Sequence, residues 1–116
     1  MALRRCLLQI GTGADLHGAD STKAAQRAVT NAVMNVGDLG FMRVLGRPHT
    51  EMHVHVTIGV PRPETVNKEA VLSILRGQRP KSIDVVTGGL EVKSEDGRDS
   101  TLIANATVVI SVNLPD

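Results

Sequence analysis

Asp15 and His17 stand two residues apart within Gly11-Thr-Gly13-Ala-Asp15-Leu-His17-Gly18, a stretch made of residue types that hold ligands and move protons. In extended backbone, residues i and i+2 point to the same side, so this spacing brings a carboxylate and an imidazole together. Such a pair can ligate a divalent metal such as Zn²⁺, or it can pass a proton, with His17 as general acid or base and Asp15 as its orienting partner. Gly11, Gly13 and Gly18 permit a positive φ and the close approach of a ligand or of another backbone. Asp20-Ser21 then read as the cap of a long helix, whose first N–H groups suit a phosphate or carboxylate. The expected catalytic residues are Asp15 and His17, and the expected ligand contacts are Gly11, Gly13, Gly18 and Ser21.

The remaining histidines, His49, His53 and His55, fall in one short stretch. If the strand at residues 52–60 lies beside the strand ending at Ile10, then Asp15, His17, His53 and His55 form a candidate metal set with an open position for water. The alternative is that His53 and His55 simply occupy a polar sheet face. Gly11 and Gly13 match the start of a dinucleotide fingerprint, but Leu16 replaces its third glycine and Asp15 intrudes where phosphates would lie. Cys6, within an apolar run, is expected to be buried and inert. Arg62 and Lys81 are placed to reach an anionic ligand or to be solvated, and Asn105 to be exposed.

The Gly11–Gly18 motif, followed by a helix of AxxAVxxAV type, resembles the signature of a small conserved bacterial and plant family of unknown function, over nearly the whole chain. A more local resemblance is to methylerythritol cyclodiphosphate synthase, a trimeric zinc enzyme. It implies metal-ligand roles for Asp15 and His17, and it extends to the stretch from Arg27 to Phe41. That family's third ligand histidine falls on Arg27, and its nucleotide-binding segment has no counterpart, so synthase activity is not implied.

The elements that must position these residues follow from periodicity. Cys6–Ile10 reads as a strand leading into the motif. Ala24, Ala25, Ala28, Val29, Ala32, Val33 and Val36 recur at helical spacing, giving a helix from about Thr22 to Val36 with Gly37 as its stop. Residues 52–60 alternate as a strand ended by Pro61 and Pro63. A second helix runs from about Asn67 to Arg76, with Asn67 as cap and Gly77 as stop. Ile83–Val86 reads as a strand whose parity changes at Gly88-Gly89 through a bulge or a break, continuing at Leu90 and Val92. A polar loop with a turn at Asp96-Gly97 leads to a last strand, Leu102–Leu114. The order β-α-β-α-β-β predicts a single α+β domain over residues 1–116, a two-layer sandwich with helices on one face of a mainly antiparallel or mixed sheet.

Composition narrows the function. Phe41 is the only aromatic residue, so no platform exists for base stacking, and a net charge of +1 supplies no field for nucleic acid or an acidic membrane. One cysteine and no long apolar run lead us to expect a cytoplasmic protein. The expectation is a homo-oligomeric enzyme acting on a small polar or anionic metabolite by hydrolysis, cyclisation or elimination. A non-catalytic metabolite- or ion-binding oligomer and a structural assembly protein are the rival readings.

Overall fold

In a computed structural model, residues 2–34 and 40–115 are described, apart from the side chains of Phe41 and His49. The elements run β1 (Ala2–Asp15), α1 (Ser21–Met34), α2 (Phe41–Val44), β2 (His53–Val60), α3 (Lys68–Leu72), β3 (Lys81–Thr87), β4 (Leu90–Lys93) and β5 (Ser100–Leu114). The strands form one mixed sheet in the order β1-β5-β2-β3, with β4 also paired to β5. Only β2 and β3 run parallel. This is the two-layer α+β arrangement that the periodicity predicts.

β5 is the axis of the sheet because its alternation is long and uninterrupted. Leu102, Ala104, Ala106, Val108, Ile110 and Val112 are all buried beneath the helices, beside Val54, Val56, Ile58 and Val60 of β2. Val29, Ala24, Ala25, Ala28 and Ala32 of α1 complete this core. The end of the described α1 is Met34, so the expected stop at Gly37 and the contribution of Val36 lie outside the described residues.

The glycine motif is not a loop. β1 continues through Gly11 and Gly13 to Asp15, pairing residue by residue with β5 as far as Leu102. The glycines are required because α1 lies directly on the strand. A Cβ on Gly11 would stand 2.3 Å from the backbone nitrogen of Ala32, and one on Gly13 would stand 2.3 Å from that of Ala28. The small stripe of α1 and the bare positions of β1 therefore fit backbone against backbone. Along the free edge of β1, α1 also supplies polar partners. Asn31 Oδ1 accepts from the Thr12 N–H at 3.0 Å, and Arg27 donates to the Ala14 carbonyl at 2.7 Å.

Other expectations need correction. A register shift between Arg5 and Leu7 turns Cys6 outward, so its thiol is exposed rather than buried. The second helix keeps its Asn67 cap, which accepts from the Ala70 N–H at 3.1 Å, but α3 ends at Leu72. Its remainder to Arg76 is irregular, and Gly77 adopts a φ of 94° beyond it. The parity change at Gly88-Gly89 is a break: β3 ends against β2, and β4 starts again on β5. Gly59 and Gly88 make that crossing possible, since a Cβ on Gly88 would lie 3.1 Å from the Gly59 Cα. Finally, β5 separates β1 from β2, so the adjacency assumed for the histidines does not exist.

Candidate functional site

The end of β1 and the start of β5 are neighbours, and this brings Asp99 to the motif. Asp99 directly precedes β5, while His17 and Gly18 follow β1 by two and three residues. His17 Nδ1 lies 2.7 Å from Asp99 Oδ2, and the Gly18 N–H donates to Asp99 Oδ1 at 3.0 Å. The Ser100 N–H donates to the same carboxylate at 2.8 Å. Gly18 can make this contact because it sits at φ 90°, a conformation that side-chain-bearing residues rarely adopt. The Gly18 N–H, with His17 and then the Ser100 N–H adding to it, holds Asp99 below its ordinary 3.8, at about 2. Because Asp99 is ionised, Nδ1 of His17 is the protonated nitrogen, which leaves Nε2 to accept.

The carboxylate expected from Asp15 thus comes from Asp99. Asp15 itself is 6% exposed and turns to the helix side, where Oδ2 accepts from the Asp20 N–H at 2.8 Å. Its Oδ1 faces Arg27 at 3.5 Å. Asp20 in turn accepts from the Lys23 N–H at 3.1 Å, and buried Ser21 accepts from the Thr65 hydroxyl at 2.8 Å. The α1 N-terminus is therefore capped by the chain's own side chains. The close approach that Gly11 and Gly13 permit is that of α1.

His17 opens onto a cavity of about 260 Å³ lined by Leu16, Val92, Lys93, Ser94, Asp99 and Thr101 among others. Among the described residues its lining carries the hydroxyls of Ser94, Ser100 and Thr101 and the Lys93 ammonium group. His53 and His55 belong elsewhere. By register His55 is level with Val109 and Leu8, seven residues before Asp15, or about 23 Å along the sheet, and it faces the side without helices. There, Nδ1 of His55 lies 2.6 Å from the Ser82 hydroxyl and Nε2 lies 3.1 Å from Asp84. His53 is further still, level with Ser111.

The donor set does not fit the expected zinc site. His17 and Asp99 supply two donors, and among the described residues no group of three or more His, Cys, Asp or Glu is placed to hold a metal ion. Arg62 and Lys81, considered for an anionic ligand, are engaged: Arg62 makes a two-point contact with Glu91 at 2.8 and 3.0 Å, and Lys81 donates to the Leu75 carbonyl. The pairing raises the Arg62 pKa and lowers that of Glu91, chiefly through their hydrogen bonds. Asp99 was missed because it lies 82 residues from His17 in the chain. Pairing the first strand with the last would have revealed it, since the register that sets Asp15 opposite Leu102 carries His17 towards Asp99.

An α+β sandwich, open on one sheet face and carrying an imidazole–carboxylate pair at the joined ends of its outer and central strands, is the class these features define. The chain belongs to the family described as conserved hypothetical protein, Lin0512_fam, which matches residues 5–110. It is also similar to a crystal structure of an FtsZ-like protein of unknown function from Nostoc punctiforme. The two are 36% identical with a TM-score of 0.86, over 98% of this chain and 99% of the other. No curated protein matches the sequence. Among the described residues no helix is long and apolar enough to cross a membrane.

Proposed function

We propose that the protein is an enzyme acting on a small polar or anionic metabolite in the His17–Asp99 cavity, with His17 as the group that moves the proton. The observation that carries this reading is the 2.7 Å contact between His17 Nδ1 and a carboxylate fixed by the Gly18 N–H at 3.0 Å. Asp99 selects the tautomer and stabilises the imidazolium that forms when Nε2 accepts a proton. Lys93 at the rim is the group that favours an anionic substrate. Asp15 acts indirectly, by tying the turn between β1 and α1 to the helix. Hydrolysis, cyclisation and elimination all begin with the proton transfer this pair provides.

Binding without turnover is the second reading, and the 85% exposure of the His17 side chain favours it, because catalysis gains from excluding water. Assembly bears on the choice. The uncovered sheet face presents Leu8, Ile10, Leu90 and Val92, all largely exposed, and Val92 also lines the cavity. A second copy packed on this face would cover apolar surface and narrow the approach to His17, which supports a homo-oligomer. A metabolite panel tests the reading: compounds that stabilise the protein are incubated with it and products are analysed. Consumption that disappears in His17→Ala is expected, and binding with no consumption of any ligand would leave the non-catalytic reading. Sedimentation velocity decides the assembly, with a monomer at working concentration counting against it.

A further inference from the structure

A second, strongly apolar cavity lies away from the motif. It lies under the C-terminal end of α1, about 300 Å³ in volume, between Val33, the sheet positions Val54, Val108 and Ile110, and the irregular segment after α3 that supplies Ile74 and Leu75. Three polar side chains converge on it: Gln9 from β1, and Arg76 and Arg79 from the segment that precedes β3. Among the described residues no acidic side chain lines it.

Gln9 is the informative member. It occupies the helix-facing parity of β1, in line with Gly11 and Gly13, and is only 4% exposed. It is one of the polar side chains that line the cavity. Arg79 carries the unmet group, since its Nε is buried without a hydrogen-bond partner among the described residues. Buried polar groups are nearly always satisfied, and an unmet donor or acceptor beneath a helix is costly unless something else supplies the bond. A cavity with an aliphatic floor and polar groups aimed into it is the form of a small-molecule site.

We infer that this cavity binds a monoanionic amphiphile, a carboxylic acid with a compact aliphatic body of roughly ten non-hydrogen atoms or fewer. The hydrocarbon lies on Val54, Val108, Ile110 and Ile74. The carboxylate takes the fork of Arg79, with Arg76 adding charge, and the Gln9 amide donates to it. The guanidinium groups select an anion over a neutral molecule of the same length. This site is separate from the His17 cavity, and its occupancy requires no reaction there.

The test is an amide-resolved NMR titration of the whole chain with octanoate and, in parallel, with 1-octanol. Octanoate is expected to shift the amides of Val54, Val108 and Ile110 and to leave Gly18 and Ser100 in place. Octanol is expected to bind at least tenfold more weakly. Arg79→Gln should weaken octanoate at least tenfold with little change for octanol, while Ile74→Phe, which fills the cavity with apolar volume, should weaken both. A circular dichroism melt confirms that each variant is folded, and Gln9→Leu serves as a second anion-contact variant if Arg79→Gln does not fold. Absence of octanoate shifts at those amides, equal affinity for octanol, or unchanged octanoate affinity in the folded anion-contact variant would each overturn the inference.

Discussion

Helix α1 has a different kind of cavity at each end. At its start, the carboxylates near the motif have partners: Asp15 meets the Asp20 N–H, Asp20 meets the Lys23 N–H, and Asp99 meets His17. The result is open, charged and self-sufficient. At its other end the walls are aliphatic, Gln9 is buried, and Arg79 Nε has no hydrogen-bond partner among the described residues. A satisfied polar cluster can exchange protons with a visitor without needing one to remain. An unsatisfied one gains most from a ligand that stays.

The strongest way to break this contrast is to remove the frame both ends share. Gly13→Val would force a side chain into the α1 backbone and should lower stability by about 3 kcal/mol, or the melting temperature by roughly 12 °C. Ligand responses at both ends should fail together; a variant that keeps either one would show that the ends do not depend on the seating of α1. The contrast is sharpened by His17→Ala. Turnover of a substrate from the metabolite panel should fall by roughly 10²–10⁴ while stability stays within about 0.5 kcal/mol and octanoate binding is unchanged.

Acid titration probes the charged end alone. The Asp99 pKa is lowered in the folded chain, to about 2, so its carboxylate contributes stability above its ordinary 3.8 and loses that contribution as the pH falls towards 2. In urea titrations at pH 5 and pH 2, Asp99→Asn should therefore lose less stability on acidification than the unmodified chain. An equal loss would show that the carboxylate's contacts do not stabilise the folded state. The smallest effect is expected from Glu91→Gln. It weakens an ion pair that stands partly in water, and it should move the melting temperature by no more than roughly 3 °C.

The layers were legible from periodicity, because Val54 to Val60 and Leu102 to Val112 alternate without interruption and the alanines of α1 repeat at helical spacing. Neighbour relations were not legible. Alternation specifies which face of a strand is buried but not which strand lies next to it. For that reason His53 and His55 looked available to Asp15 when β5 in fact intervenes. The motif glycines show a related limit: a glycine that admits a ligand and one that admits a helix have the same local sequence, and only the Ala28 and Ala32 backbone separates the two cases. The extent of β1 through Asp15 was hidden for the same reason, since glycine is a poor strand former and the partner that sustains the strand lies at the other end of the chain.

β5 is hydrogen-bonded to three other strands, yet it is the last element of the fold in chain order. During synthesis, β1, α1 and β2 must therefore wait without their central partner until residues up to Leu114 have left the ribosome. Val54, Val56 and Ile58 lack the neighbours that bury them through that interval, which makes truncation before β5 far more damaging than its distance from the motif suggests.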